Sequence, residues 1–250
     1  MRSTLPSEHS AKRPVRSAVE IAALAVLLLM PSCAVLLRPA GYDAFETALK
    51  QGQAIEIYDT LEALVAEGDD TKADRKEAYR KIRDLNEDTA AFQFAWAGIT
   101  GRYVQYKGLL AANLLKSIES HARRSLELDP HFRNGAARRI LGTMYVAAPS
   151  NLVEHGDSEV GLDLLEQQVT EYPDDPENHL FLAEAYITLN DPAPAVPHLC
   201  YCLSVKDTMR NDEQTLLVNL FSDAGKVECP GPTPIPTPKK KKLLGVIPRG

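Results

Sequence analysis

One short motif, which occurs twice, constrains this chain more than any other feature of its sequence. The pattern L-G/A-x-x-Y stands at 141–145 and again at 182–186. A second small residue follows each copy, Gly161 after the first and Ala195 after the second, with a Leu four positions later. Small residues at matching places let two helix axes approach, and large neighbours fill the gap beside them. The sequence therefore predicts helices that pack in pairs.

The rest of the body also has helical periodicity. Apolar residues three and four positions apart predict amphipathic helices over 41–62 and 71–85. The apolar stretch 89–99 predicts a buried helix, a connector flanked by glycines follows at 101–108, and a long helix is predicted over 109–128. The composition agrees with this prediction. With 44% apolar but only 6% aromatic residues, it favours helices that pack through small side chains over a β-sandwich.

These motifs resemble the tetratricopeptide repeat, in which L-G/A-x-x-Y, a turn with Gly or Asn before Asp, and a Pro after the second helix recur. The resemblance implies an all-α fold over 41–228, an irregular tetratricopeptide-repeat helical solenoid. Tyr145 and Tyr186 are 41 residues apart, against a family period of about 34, so about seven extra residues precede Gly156. This insertion is either a binding loop or subunit contact at one edge of the solenoid, or a tolerated surface loop.

The C-terminal part is expected to close the helical body. Pro194 is compatible with the first turn of the last repeat's second helix, whereas Pro197 is expected to delay or kink its start. The stretch 211–221 predicts a short closing helix whose apolar face covers the last repeat. Residues 229–250, rich in Pro and then in Lys, predict a disordered tail; the alternative is a contact of its lysines with anionic lipid or an acidic partner.

The N-terminus has the features of an export signal. Basic residues precede the apolar run 21–30, which is too short for a membrane-spanning helix of about 20 residues. Ser32 directly before Cys33 at the end of this run resembles the lipobox of bacterial lipoproteins. The resemblance implies a signal peptide at 1–32, a lipidated Cys33 that anchors the protein to a membrane, and a tether at 33–40. The alternative is a buried Cys in an ordinary anchor or in a leader that is cut elsewhere.

Charge and the other cysteines add two constraints. Between the basic ends, the body carries 19 basic and 32 acidic side chains, a net charge of −13 that repels nucleic acid.

Cys200 and Cys202 are too close along a helix to pair well with each other, so either of them is a candidate partner for Cys229. We take Cys202 and Cys229 as the candidate disulfide; the alternative is three buried thiols.

A broader resemblance combines the leader with the repeats. Residues 88–205, with LGxxY…AP…GD…GL…P at their core, are similar to the T-component of tripartite ATP-independent periplasmic (TRAP) transporters. The resemblance implies a lipid-anchored periplasmic protein, a homotrimer with a hydrophobic passage through each subunit, and a partnership with the substrate-binding component. Ala34 stands where enteric lipoproteins retained in the inner membrane have Asp, which favours the outer membrane.

No catalytic pattern appears in the sequence. The chain has no HExxH, no GxSxG and no phosphate-binding loop. His155, with Glu154 and Asp157 beside it, is either a weak metal or proton-linked site or part of a solvated loop. We therefore expect a protein that is not an enzyme and that needs no metal or cofactor. The six histidines are scattered: His9, His121, His131, His155, His179 and His198.

A binding groove is expected on the concave face that the first helices of such repeats form. The register of the two motif copies predicts six residues on this face: Arg139, Thr143, Val146, Leu180, Glu184 and Ile187. Their mixed, partly apolar character predicts a small apolar ligand or a partner helix. The expected function is that of an accessory binding protein in TRAP-type uptake. The alternative is an adaptor lipoprotein that holds other proteins during envelope assembly.

Overall fold

The computed structural model describes residues 41–108 and 113–229, and this part of the chain is all-helical. It contains ten α-helices and no β-strand. None of its helices has both the length and the apolar character that a membrane span requires. The predicted leader, Cys33 and the tail beyond residue 229 lie outside the described residues. The helices are α1 (Tyr42–Gln51), α2 (Ala54–Glu67), α3 (Lys72–Arg83), α4 (Ala90–Lys107), α5 (Leu115–Leu128), α6 (Ala136–Ala147), α7 (Ser158–Glu171), α8 (Pro176–Thr188), α9 (Ala195–Ser204) and α10 (Asn211–Ala224).

The first predicted helix is two helices. Gly52 ends α1 in the left-handed conformation, with φ of 75°, and its N–H donates to the carbonyl of Ala48 at 2.9 Å. A left-handed glycine at this place is a common way to end a helix. The chain then turns into α2, so Phe45 of α1 and Ile57 of α2 enter the same buried cluster.

The glycine-flanked connector at 101–108 is helical, so its prediction was wrong. Helix α4 begins after Thr89, whose hydroxyl accepts a hydrogen bond from the N–H of Phe92 at 3.1 Å, and continues to Lys107. Gly98 and Gly101 lie inside the helix and do not interrupt it. Glycine weakens a helix by roughly 1 kcal/mol relative to alanine but does not forbid it, and the packing of α4 against α3, α2 and α5 outweighs that penalty.

The small residues mark the helix crossings, as predicted. An added Cβ at Gly161 would lie 2.7 Å from the carbonyl oxygen of Gly142, so α6 and α7 touch backbone to backbone. Ala97 of α4 and Ala122 of α5 share a buried cluster, and so do Ala183 of α8 and Ala195 of α9. The α6–α7 crossing is therefore made at small residues, and the two flanking helix pairs each bury an alanine from both helices.

The starts of the last three helices follow local chemistry, with one correction. The Asp175 carboxylate caps α8 by accepting from the N–H of Glu177 at 3.0 Å. Helix α9 starts directly after Pro194, so Pro197 does not delay its start as expected: Pro197 lies in the first turn, where a missing N–H donor leaves no intrahelical bond unmade. The predicted closing helix is α10, and its Leu217 packs with α8 and α9 in one buried cluster.

Alternate helices form a row that closes on itself. Along the chain, α2 contacts α4, α4 contacts α6, α6 contacts α8, and α8 contacts α10. Helix α10 then contacts α2, although about 150 residues of sequence separate them. The other helices, α3, α5, α7 and α9, pair with members of this row. The row is the part of the fold that brings distant side chains together.

Candidate functional site

A cavity of about 250 Å³ lies against four helices of the closed row. Helices α2, α4, α6 and α8 contribute most of its wall, and the start of α5 contributes Leu115 and Ile118. Its middle is apolar and includes three aromatic rings. Most ligand sites combine an apolar wall with a few polar groups. The residues that line the cavity include Tyr58, Glu62, Phe94, Gly101, Arg102, Arg139, Thr143, Met144, Glu177 and Phe181.

Two other concavities have a different character. One, of about 510 Å³, lies between α1 and α3 and is lined by Glu46, Lys50, Asp74, Glu77 and Lys81 together with four less polar residues. The other, of about 460 Å³, has no aliphatic side chain in its wall and combines acidic, basic and imidazole groups from α5 and the 148–157 segment. A lining of this kind is well solvated, so the cavity beside α4 is the better candidate for a ligand site.

Two arginines at the cavity already have carboxylate partners. Arg102 of α4 donates from Nε to Glu62 of α2 at 2.6 Å, and Glu62 is only 6% exposed. Arg139 of α6 donates to the Asn178 side-chain oxygen at 2.6 Å and to the carboxylate of Glu177. Both ion pairs join neighbouring helices of the row. Because each charge is compensated within the protein, the cavity carries charged groups without a free charge.

A tyrosine lies among these four charged groups. Burial, followed by the negative charges of Glu62 and Glu177, raises the pKa of the Tyr58 phenol well above its ordinary value. The phenol therefore stays protonated and keeps a hydroxyl that both donates and accepts. Among the described residues this hydroxyl has no hydrogen-bond partner, while the ring packs edge-on against Phe94 at a centroid distance of 4.8 Å.

Ion pairs also hold the closing helix. Arg210, directly before α10, lies 3.1 Å from the Glu62 carboxylate, and Asp212 lies 4.0 Å from Arg102. The side chain of Asn211 donates to Glu67 near the end of α2 at 3.1 Å. Glu62 therefore binds both Arg102 of α4 and Arg210, which directly precedes α10. The same carboxylate lines the cavity and fastens α10 to α2.

Two mid-helix glycines of α4 line the cavity for different reasons. A Cβ at Gly98 would lie 2.5 Å from the Tyr58 ring, so this glycine makes room for that ring. A Cβ at Gly101 would have no heavy atom within 4 Å. Glycine inside a helix costs about 0.5–1 kcal/mol relative to alanine. Close packing explains Gly98 and does not explain Gly101.

The structure brings two of the six predicted groove residues to the cavity and places the other four elsewhere. Arg139 and Thr143 line the cavity. Leu180 is fully buried with Leu217, because α10 covers that side of α8, so it does not line a groove. Val146 packs against the cluster between α7 and α8, and Ile187 packs against the cluster that contains Leu180.

Glu184, the sixth predicted residue, stands apart. It is half-buried on α8, and burial raises the pKa of its carboxyl above the ordinary value. Within the described part of the chain it has no hydrogen-bond or ion-pair partner. It does not belong to the cavity wall.

The predicted disulfide needs a correction. The bridge joins Cys200, not Cys202, to Cys229, with a Cα–Cα distance of 5.4 Å. Cys202 is fully buried in the cluster between α8, α9 and α10, and its thiol donates to the carbonyl of Pro176 at 3.4 Å. Residues two apart on a helix point in different directions, so only one of the two cysteines reaches the segment after α10.

The predicted insertion is held firmly by the protein's own α5. The Glu119 carboxylate is 1% exposed and accepts hydrogen bonds at 2.7 Å from the Tyr145 hydroxyl and from the backbone N–H groups of Glu154 and His155. Val153 of the same loop is buried. The loop N–H groups that face α5 therefore already form hydrogen bonds within the protein. Among the described residues no group of three or more His, Cys, Asp or Glu has a metal-binding arrangement, and His155 belongs to none.

Two histidines, the buried His179 and the half-buried His198, join α8 to α9. The Nδ1 atoms of His179 and His198 lie 2.9 Å apart, and Nε2 of His179 lies 2.8 Å from the carbonyl oxygen of Pro173. A carbonyl only accepts, so Nε2 of a neutral His179 carries the proton and its Nδ1 accepts from His198. Burial, together with the neighbouring imidazole, lowers the pKa of His198 to about 4.

Sequence reasoning missed the cavity residues of α2 and α4. Tyr58, Glu62 and Arg102 lie outside the two motif copies, and their proximity to Arg139 depends on the closed row. One signal in the sequence could have indicated them. Gly98 and Gly101 stand in a helical stretch, where a glycine usually has a packing or functional reason.

Comparison with known proteins adds no assignment. No protein-family model matches the chain, and no curated protein matches it significantly.

Proposed function

We propose that this protein is a lipid-anchored accessory binding protein of the bacterial envelope, similar to the T-component of TRAP-type uptake systems. The observation that carries the proposal is the partly apolar cavity beside the closed row of helices. In this proposal the body is an irregular tetratricopeptide-repeat solenoid. Its function is to bind a partner protein and a small apolar ligand, and it catalyses no reaction.

The helix pairs support the repeat interpretation. The α6–α7 pair approaches closely at Gly142 and Gly161. The pairs α4–α5 and α8–α9 each have a buried alanine from both helices in a shared cluster, and each pair is followed by the next helix of the row. This is the packing that the tetratricopeptide motif produces. The ligand interpretation is supported by the wall of the cavity, where Ile118, Met144 and Phe181 surround a space that internal side chains leave unfilled.

The alternative is an adaptor that holds envelope proteins and no small ligand. The observation in its favour is the set of charged groups at the cavity, Glu62, Arg102, Arg139 and Glu177, since charged groups on a repeat surface commonly bind partner proteins. Their mutual pairing weakens this alternative, because a partner would have to break internal ion pairs to use them.

The location is tested first. Cells that produce the full chain are labelled with a fatty acid that carries a detectable tag, and the Cys33→Ser variant is the matched control. The proposal expects label in the wild-type protein, no label in the variant, and recovery of the labelled protein with envelope membranes. Unlabelled protein in the cytosol would contradict it.

The partnership is tested by photo-crosslinking in intact cells from a residue analogue placed at Phe181, which lines the cavity. A second analogue at Ala63, which is exposed on α2, is the control. The proposal expects a crosslink to a solute-binding protein of a TRAP system from Phe181 and none from Ala63, and loss of the corresponding uptake when this protein is deleted. Crosslinks only to envelope-assembly proteins, with unchanged uptake, would favour the adaptor.

A further inference from the structure

The glycine at position 101 opens a space that no protein group occupies. Gly101 lies inside α4 and lines the cavity, and the position of its missing Cβ has no heavy atom within 4 Å. The other two glycines in the helices of the row have a packing reason: an added Cβ would lie 2.5 Å from the Tyr58 ring at Gly98 and 2.6 Å from Leu165 at Gly142. Alanine or a larger residue at 101 would favour the helix, and it would extend into the cavity.

Two hydroxyl groups in the cavity wall lack partners. The Thr143 oxygen is buried and makes no hydrogen bond, and neither does the Tyr58 hydroxyl, counting only the described residues as partners. Buried hydroxyls are normally satisfied. Both belong to residues that line the same cavity, one on α6 and one on α2. The Thr143 oxygen has no accessible surface, whereas the Tyr58 hydroxyl is not among the fully buried atoms, so Tyr58 is the hydrogen-bond partner that an occupant can reach.

The charges indicate the class of occupant. Arg102 is paired with Glu62, and Arg139 with Glu177, so an ionic ligand would have to displace an internal partner and leave a charge uncompensated. An uncharged ligand leaves both pairs intact. The rings of Tyr58, Phe94 and Phe181 in the wall favour a flat body, since offset and edge-on ring contacts stabilise aromatic pairs.

The volume of the cavity limits the size of its occupant. An apolar cavity of roughly 150 Å³ holds benzene, whereas drug-sized ligands occupy roughly 300–1,000 Å³. The volume of about 250 Å³ lies between these values. We infer that the cavity binds a small uncharged molecule of one or two rings with a single hydrogen-bonding group, of the phenol or indole class. This inference rests on the proposed ligand-binding function and narrows it.

The experiment is a calorimetric titration of the full-length, lipid-anchored protein in lipid nanodiscs with 4-ethylphenol, and empty nanodiscs correct for partitioning into lipid. Gly101→Leu is the test variant. Ala63→Leu, which adds the same side chain at an exposed position of α2, is the matched control. We expect saturable binding to the wild type and to the control, and binding at least about tenfold weaker to Gly101→Leu, with its melting temperature unchanged or higher. Equal binding to Gly101→Leu and wild type would overturn the inference.

Two further arms test the ligand class. The Tyr58→Phe variant, which removes only the hydroxyl, should weaken 4-ethylphenol binding by about twofold to tenfold and leave ethylbenzene binding unchanged. Benzoate should bind more weakly than 4-ethylphenol, and tighter binding of benzoate would overturn the uncharged class. If the wild type binds none of the probes but still crosslinks to a TRAP component, this inference is refuted and the proposed partnership is not. Probe binding without that crosslink would refute only the proposed partnership.

Discussion

Replacing Glu119 with Gln tests whether one buried carboxylate holds the 148–157 loop to the helical body. In the wild type this carboxylate accepts the hydroxyl of Tyr145 and two loop N–H groups, those of Glu154 and His155, all at 2.7 Å. Burial raises the pKa of Glu119, but the three donors outweigh burial, so its net pKa lies below the ordinary value and the group is ionised near neutral pH. Gln has the same shape and offers only one accepting oxygen.

The expected loss follows from the three bonds. The Gln amide group would face one of the donors, and a buried donor without an acceptor costs about 1–3 kcal/mol. The two remaining bonds would lose the contribution of a charged acceptor, about 0.5–1 kcal/mol each. The total is about 3 kcal/mol, which corresponds to a fall in melting temperature of roughly 6–12 °C for a domain of this size.

The assay is urea unfolding followed by circular dichroism, with hydrogen exchange to locate the change. Glu154→Gln is the matched control, because Glu154 forms a surface ion pair with Lys116 and both side chains are more than half exposed. Such pairs contribute about 0–1 kcal/mol. Faster exchange should be confined to the 148–157 loop and the adjoining ends of α6 and α7. A loss below about 0.5 kcal/mol in Glu119→Gln would refute the assigned role of the carboxylate.

Three other contacts give expected outcomes of their own. Cys229→Ser opens a loop that the disulfide closes over 29 residues, and should lower the free energy of unfolding by about 3–4 kcal/mol in urea titrations; a loss below about 1 kcal/mol would contradict this. Gly161→Val places a side chain against the backbone of α6, 2.7 Å from a carbonyl oxygen, and should cost at least about 1–3 kcal/mol in thermal unfolding, whereas Gly101→Ala should be neutral or stabilising. For His198 the unfolded chain takes up a proton near pH 6.5 and the folded chain only near 4. The unfolded state therefore binds more protons between these values, and stability should fall by about 3 kcal/mol from pH 7 to 4. His198→Phe should remove that part of the pH dependence, and an unchanged profile would contradict the assignment.

The sequence predicted the parts of the fold that depend on local chemistry. The helical periodicity predicted all-α structure, and the small residues at 142 and 161 predicted where two helices cross. Local patterns failed where tertiary packing overrides propensity. Gly101 and Gly108 predicted a connector over 101–108, yet α4 continues through Gly101 to Lys107, because its contacts with α2, α3 and α5 outweigh the weak helix propensity of glycine.

The candidate site was predictable only in part, for a geometric reason. A register along one helix identifies residues on one face, and two of the residues that it predicted for a groove, Arg139 and Thr143, line the cavity. It does not say which later helix covers that face. Helix α10 covers the neighbouring part of α8, and this single contact turns Leu180 from an expected ligand contact into a core residue. The choice between Cys200 and Cys202 failed likewise, because it depends on the direction from which the chain returns after α10.

The two motif copies do not form the cavity wall by themselves. The cavity wall takes residues from Tyr58 to Phe181, and the two motif copies supply only the α6 and α8 side of it. Helix α2, which has no motif, supplies Glu62, and this carboxylate pairs with Arg102 in the wall and with Arg210 before α10. Because one acidic group serves the wall and the closure together, loss of the Glu62 carboxylate would affect both the cavity wall and the attachment of α10. A fragment that contains only the repeats lacks the α2 side of the wall and the carboxylate that fastens α10 to α2.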